Sequence, residues 1–468
     1  MNQRKYDNRN DTICAISTAF GMAAIAMIRL SGPDAITAIE KVFKPVQRNI
    51  RLTDQKGYSM FYGDISDNEG LIDTVVIGLF KAPNSYTGED VVEISCHGSI
   101  YIQQRIMNML TDCGIRVAEP GEFTLRAFLN RRLDLSQAEA VADLIASTSK
   151  ASHQLALSQM RGGFSKKIEA LRQQLLDFAS LIELELDFSE EDVEFASRPQ
   201  LNELLNELRT ELQNLVDSFK LGNVLKHGIP VAIIGKTNVG KSTLLNAILN
   251  EERAIVSEIP GTTRDTIEDV ISIKGIAFRF IDTAGLRDTY DEIEIIGIER
   301  THEKIEQAAI ILYIFDLNEF SISELKEDLE DLKNKLGNLD KRIILIGNKT
   351  DLLVEIPHDF KELVEYETIF ISSKRKENIN LIIDSLLLSV EQGITDTDIL
   401  VSNARHLQAL QQALKAIQSV EEGFLIGLST DLISLDIRIA LHQLGEITGK
   451  ITTDDILSNV FSKFCIGK

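Results

Sequence analysis

The sequence predicts a multidomain chain of α/β and α parts. An α+β domain is expected at residues 1–132, a discontinuous α-helical domain at 133–227 and 392–468, and an inserted α/β P-loop domain at 228–391. Three observations carry this. The run GKTNVGKS, Gly235 to Ser242, has a phosphate-loop pattern and stands between a strand-like and a helix-like stretch. Leucine and isoleucine recur at helical spacing on both sides of the region that holds it. Ahead of both, short β-type runs alternate with a helical stretch and Gly/Pro turns. With 468 residues, 44% of them hydrophobic, the chain suffices for about three domains of ordinary size.

The opening MNQRKYDNRN is polar and lacks the apolar core of a signal peptide. No apolar run reaches transmembrane length, so a soluble, cytosolic protein with no membrane association is expected. Cys14, Cys96, Cys113 and Cys465 are scattered without a CxxC pair and read as reduced thiols rather than a metal site or disulfide framework. A net charge of −22 argues against a broad nucleic-acid-coating surface, and the absence of Trp weakens a base-stacking reading. Nucleic-acid contact is therefore expected to be local or shared with a partner.

In the first domain the strand-like runs are Ala24 to Leu30, Val75 to Phe80 and Val91 to Ser95, with a helix over Ile100 to Leu110 and turns at Ala82-Pro83-Asn84 and Pro120-Gly121. From Leu135 the period changes. Ile168, Leu171, Leu175, Phe178 and Ile182 recur at three and four, as do Leu201, Leu204, Leu208, Leu212 and Leu215. Between these helices the acidic stretch Asp187 to Phe195 reads as a solvated loop rather than a metal site, with a break before Pro199. Near Gly393 the helical period returns with Leu407, Leu410, Leu414 and Ile417, then Leu432, Leu435, Ile437 and Leu441. A segment of about 75 residues is marginal alone, so it is expected to pack on the earlier helices.

The inserted domain carries three motifs in order, each after a predicted strand. Val231 to Ile234 precede the phosphate loop, in which Gly235 and Gly240 let the backbone curl, Lys241 adds a mobile charge and Ser242 can ligate Mg²⁺. Phe278 to Ile281 precede DTAG, Asp282-Thr283-Ala284-Gly285. Ile343 to Ile346 precede NKTD, Asn348-Lys349-Thr350-Asp351, whose Asp351 carboxylate accepts from the ring and exocyclic N–H groups of guanine and repels adenine's acceptor edge. Together they predict a Ras-like GTP-binding G domain. Ser373-Lys374, after Ile369 to Ile371, is a candidate to complete the base pocket. Leu286 stands where Ras-type enzymes have a water-orienting glutamine, so the catalytic group must come from elsewhere. Arg264, Arg287, Asp288, Asp291, Glu292 and Glu294 are the nearby candidates.

Six segments make a resemblance specific: Ser85 to Gly98, Pro120 to Asn130, Asp134 to Ile145, Pro260 to Asp265, Asp282 to Arg300 and the tail Phe464 to Lys468. In these the chain resembles, along its whole length, the bacterial tRNA-modification GTPases of the MnmE (TrmE) family, within the TrmE/Era-type superfamily. The resemblance implies a potassium-stimulated GTPase whose G domains pair across their switch regions. By the family's motif, Asn238, Thr262 and the carbonyls of Ser257 and Ile259 would hold K⁺, and Mg²⁺ would sit between Ser242 and Thr263. The remaining GTP contacts implied are Val239, Gly240, Lys241, Thr243, Glu258, Pro260 and Gly261. Glu294 matches the family's catalytic glutamate, orienting the attacking water, and Arg287 is a candidate to fix the switch.

The resemblance further implies a tetrahydrofolate-binding N-terminal domain, with contacts mapping onto Arg29, Glu93, Arg132 and Lys468, for a 5-formyl- or 5,10-methylene-tetrahydrofolate. Two departures stand out. STAFGMAAIAMIRLSG, Ser17 to Gly32, has fewer glycines than the family's turn, and Arg131-Arg132 replaces an arginine–lysine pair. Cys465 is either a nucleophile or a residue packed near the folate, and the tail reaches that pocket only if the chain doubles back or a second subunit supplies a wall. The implied function is modification of C5 of the wobble uridine of certain tRNAs to an aminomethyl or carboxymethylaminomethyl group. The implied partners are tRNA, a second copy joined through the N-terminal domain, and the flavoprotein MnmG (GidA), in a heterotetramer that supplies FAD and NADH chemistry. The rival reading is a switch GTPase of ribosome assembly without modification chemistry.

Overall fold

The computed structural model describes residues 11–47, 49–187, 198–251, 269–281, 308–336, 341–355, 360, 366–391 and 399–468. The chain divides into two compact units, the first made of Met1–Ala142, Gln159–Leu208 and Gln412–Lys468, the second of Asp143–Ser158 and Arg209–Gln411. Among the described residues no helix is long and apolar enough to cross a membrane.

The first unit holds a seven-stranded sheet. Its strands are β1 (Ile13–Ile16), β2 (Ile25–Ser31), β3 (Phe43–Pro45), β4 (Ser59–Asp67), β5 (Gly70–Phe80), β6 (Val91–His97) and β7 (Arg116–Val117), in the order β3-β4-β5-β6-β2-β1-β7. Neighbours run antiparallel except β1 and β7. The expected strands correspond to β2, β5 and β6, and the expected helix to Ile100–Asp112. The others gave little signal: β1 and β3 span only four and three residues, and β4 buries only Gly63 and Ile65. Strand alternation puts Ile28, Leu30, Val92 and Ile94 on one face, in a core with residues of helices Ala35–Val42 and Ile100–Asp112. It turns Arg29 and Glu93, paired across β2 and β6, to the other face.

Helices complete this unit. Gly163–Asp187 packs along Thr430–Thr448, with Phe178 edge-on to Phe424 at 6.1 Å and Lys450 ion-paired with Glu169. Ile168, Leu171, Leu175, Phe178 and Ile182 are all buried, as their spacing predicts. Helix Arg198–His227 starts one residue before Pro199 in the first unit and continues past Leu208 into the second; its buried stripe runs Leu201, Leu205, Leu208, Leu212 and Leu215, with Leu205 rather than Leu204 facing inward. In Thr430–Thr448 the buried apolar side chains include Ile433, Ile437, Ala440, Leu444 and Ile447, whereas Leu432 and Leu435, expected inside, are exposed. A stripe at 3.6-residue spacing includes them only if the helix is read one position out of phase.

The second unit holds β8 (Ile229–Ile234), β9 (Asp269–Ile273), β10 (Ile276–Phe280), β11 (Ile310–Asp316), β12 (Arg342–Asn348) and β13 (Glu367–Phe370), in the order β13-β12-β11-β8-β10-β9. All pairings are parallel except β9 with β10. Every residue of β11, IILYIFD, is buried, as a central parallel strand requires. Helices Lys241–Glu251, Ile322–Leu336 and Ile379–Glu391 contribute Leu244, Leu325 and Ile382 to the shared core. Beyond the domain the chain returns to helix Arg198–His227, where Val401 N–H donates to Ser218 Oγ at 3.1 Å.

Candidate functional site

Parallel strands ending together set loops side by side at one edge of the sheet, and the phosphate loop and the NKTD motif occupy two of those loops. The phosphate loop leaves β8 at Gly235 and enters helix Lys241–Glu251. Gly235 has φ +154° and Gly240 φ +101°; a Cβ at Gly235 would lie 2.1 Å from the Ile314 carbonyl, and one at Gly240 2.4 Å from Asn348 Nδ2. No other residue fits these places. Asn238, at φ +61°, forms the loop's exposed crest. Lys241 Nζ donates to the Gly235 and Lys236 carbonyls, both at 2.7 Å, which holds the ammonium across the loop. Ser242 is half-buried and Thr243 exposed in the helix's first turn, where unpaired N–H groups and the helix dipole favour an anion.

Asn348 ties its own loop to the phosphate loop and to the loop after β13. Buried at the end of β12, it donates through Nδ2 to the Val239 carbonyl at 2.8 Å and accepts at Oδ1 from Ser373 N–H and Ser373 Oγ, both at 3.0 Å. Lys349, at φ +66°, pairs with the buried carboxylate of Asp316 at 2.6 Å. Thr350 N–H donates to the Ile371 carbonyl at 3.1 Å. Asp351 Oδ1 accepts from Ser372 Oγ at 2.7 Å, a bond that holds its carboxyl below the usual range and keeps it an acceptor. Ser373 is buried and Lys374 exposed. Backbone N–H groups, a lysine and a fixed carboxylate thus line one edge, a set suited to phosphates at one end and a donor-edged base at the other. Asp316 was missed by sequence reasoning; its only signal was an acid closing an otherwise apolar strand.

Ser257, Glu258, Ile259, Pro260, Gly261, Thr262, Thr263 and Arg264 lie outside the described residues. So do Asp282, Thr283, Ala284, Gly285, Leu286, Arg287, Asp288, Asp291, Glu292 and Glu294.

A second polar cluster occupies the other face of the first unit's sheet, where Phe123 of helix Glu122–Leu129 packs with Ile13 and Ala15 of β1. Arg29 Nε and Nη2 meet Glu93 Oε1 at 2.9 and 2.8 Å, and the guanidinium lies 5.4 Å from the Tyr86 ring centroid and 5.8 Å from that of Phe123. Tyr86 Oη shares a hydrogen bond with Thr124 Oγ1 at 2.9 Å, and burial pushes its pKa up. Arg132 is exposed beside the loop that carries Tyr86: a Cβ at Gly88 would come within 3.3 Å of Arg132 Cγ. The tail doubles back within the same chain. Phe123 N–H donates to the Lys468 carbonyl at 3.2 Å, Gly121 N–H to that of Cys465 at 3.4 Å and Ser17 Oγ to that of Gly467 at 3.2 Å. Arg29, Glu93, Arg132 and Lys468 therefore gather around residues 86–88 and the first turn of helix Glu122–Leu129. Cys465 is exposed there, whereas burial pushes the Cys14 thiol up to about 12 and the Cys96 thiol up to about 11. Tyr86 and Phe123 were not singled out on sequence, because a lone aromatic, here between Ser85 and Thr87 and between Glu122 and Thr124, does not by itself say what it faces.

The family model of the MnmE helical domain matches residues 135–465, and that of the GTP-binding protein TrmE N-terminus matches residues 12–132. The chain is 52% identical to the tRNA modification GTPase MnmE of Christiangramia forsetii, 53% to that of Flavobacterium johnsoniae and 51% to that of Bacteroides fragilis. Each alignment covers 98% of this chain and 99% of the relative.

Proposed function

The chain belongs to the MnmE family of tRNA modification GTPases, and from that premise we propose that it hydrolyses GTP at the loop Gly235–Ser242 and couples the cycle to modification of tRNA. The observation that carries this reading is the tie that Asn348 makes from the base-reading motif to the phosphate loop, through the Val239 carbonyl, and to the loop after β13, through Ser373. Asp351 reads guanine, and Lys241 with the loop amides holds the β- and γ-phosphates. Water attacks the γ-phosphorus and the bond to the β,γ-bridging oxygen breaks. Glu294 orients that water, through a second water, in the place Leu286 cannot serve, and Arg287 steadies the switch.

The glycine-built cradle, with Ser242 at the helix start and Asn238 at its crest, fits a nucleotide with its cations. Ser242 and Thr263 would hold Mg²⁺, and Asn238, Thr262 and the Ser257 and Ile259 carbonyls K⁺. These ions supply positive charge against that developing on the transferred phosphoryl group. In the first unit, the fixed Arg29–Glu93 pair suits a ligand with a donor-edged ring and acidic tail, which supports a tetrahydrofolate one-carbon donor held by Arg29, Glu93, Arg132 and Lys468. The division into an N-terminal domain at 1–132, a helical domain at 133–227 and 392–468, and a G domain at 228–391 belongs to the same reading. So do pairing of two copies, partnership with MnmG carrying FAD and NADH chemistry, and the wobble uridine C5 as target.

The test is nucleoside analysis of total tRNA from cells lacking the protein, complemented with the parent or with Asp282→Ala. Loss of a C5-modified wobble uridine that only the parent restores is expected. An unchanged profile would move the reading to a switch GTPase, to be followed by ribosome profiles.

A further inference from the structure

One side chain of the phosphate loop is tied to the body of its own unit rather than turned to a ligand. Lys236, second in GKTNVGKS, sets its ammonium 3.3 Å from Asp328 Oδ2 and 4.2 Å from the centroid of the Phe320 ring. Both partners are themselves fixed. Asp328 Oδ2 accepts from Tyr313 Oη at 2.9 Å, and Tyr313 belongs to β11. Phe320 is buried, lies edge-on to Phe315 at 6.2 Å, and donates its N–H to the Asp316 carbonyl at 3.1 Å. Asp316 is the residue whose carboxylate pairs with Lys349 of the base-reading motif.

At its other end Lys236 offers its carbonyl to Lys241 Nζ at 2.7 Å, alongside the Gly235 carbonyl. A half-exposed lysine on a turn normally keeps its rotamer freedom in water. Here a ring face and a carboxylate, both anchored to β11 or the turn after it, remove that freedom and transmit the hold to the peptide that aims Lys241.

We propose that Lys236 is a positioning residue. Clamped by Phe320 and Asp328, it fixes the first turn of the loop and so the carbonyls that hold Lys241, which slows release of guanine nucleotide. The proposal rests on the GTPase reading above. Its signature is a split: a change in ground-state hold on the nucleotide appears in release rate and KM, while the bond-breaking step is spared.

The experiment follows release of a fluorescent GDP analogue from the full chain in Mg²⁺ and K⁺, by stopped flow, for the parent, Lys236→Met, Asp328→Asn, the double variant and Lys236→Arg. Release from Lys236→Met and from Asp328→Asn is expected to be about fivefold to tenfold faster, and the double variant no faster than Lys236→Met, because both remove one contact. Lys236→Arg should stay within about twofold of the parent, since a guanidinium can meet both ring and carboxylate. KM for GTP should rise with kcat changed by less than about twofold. A Lys236→Met chain that releases nucleotide at the parent rate, or additive effects in the double variant, would overturn the clamp. A parent that retains no guanine nucleotide would overturn the GTPase reading beneath it. Circular dichroism melting separates unfolded variants, and Phe320→Leu, which removes the ring but keeps Asp328, is then the second probe.

Discussion

Glu122 sits between two arginines in a dense charge network of the first unit. Its carboxylate is fully buried and accepts from Arg116 Nη2 at 2.6 Å and Arg126 Nη2 at 3.1 Å, while both arginines also reach Asp11. Burial alone would push the carboxyl up; the Arg116 hydrogen bonds, the Glu119 N–H and Arg126 outweigh it and hold the group down to about 2. Because this lies below the ordinary 4.5, the stabilisation is complete above about pH 4.5 and is lost as pH falls toward 2. Glu122→Gln should cost about 3 kcal/mol at neutral pH, since Arg126 then stays buried without that counter-charge. Urea unfolding followed by circular dichroism should also show a flatter loss of stability on acidification for the variant. Equal midpoints and equal acid slopes would remove Glu122 from the energetics of this network.

At the scale of elements, the tail Phe464–Lys468 is held by backbone groups more than by side chains, with the Phe461 ring 6.5 Å from Phe128 and 5.5 Å from Phe464 setting where it starts. Gly467 has φ +93°, and a Cβ there would stand 2.4 Å from the Ile16 carbonyl. Gly467→Ala should therefore shift Lys468 and weaken 5-formyl-tetrahydrofolate binding about tenfold, with guanine nucleotide affinity unchanged; calorimetry of both ligands on the full chain checks this, and unaltered folate affinity would free the tail from the site. This docking was not legible in the sequence, where FCIGK admits both a doubled-back chain and a second subunit. The nucleotide loops were legible, because a loop that wraps a phosphate admits few residue types and each stands at the end of an apolar run. Helix phase was legible where five positions agreed, as from Ile168 to Ile182. It failed in Thr430–Thr448, where Leu432, Leu435 and Ile439 form an apolar outward face. Strands as short as β1 and β7 are formed by their neighbours, and local sequence cannot announce them.

At the scale of the whole molecule, charge sets the expected salt response. With a net charge of −22 the protein must bring cations to any site where phosphate charge accumulates, and of the loop's two lysines Lys236 is engaged by Asp328, which leaves Lys241. Replacing K⁺ by Na⁺ at constant ionic strength should slow GTP hydrolysis by about tenfold or more if a monovalent cation stands in for an arginine finger. Equal turnover in both salts, followed by phosphate release, would undo the roles given to Asn238 and Thr262. The second unit lies within the span of the first, whose three segments are Met1–Ala142, Gln159–Leu208 and Gln412–Lys468.

The bond from Ser17 to Gly467 spans 450 positions. A ribosome adding about 5–20 residues per second leaves β1 and β2 waiting tens of seconds for the segment that closes the rim around Arg29. During that interval the β-sheet must stand without Phe461 and Phe464 against Phe128 and Gly121. A chain interrupted before residue 460 would still contain the whole nucleotide loop set but would lack the Lys468 carbonyl at Phe123, so synthesis itself separates the two sites in time.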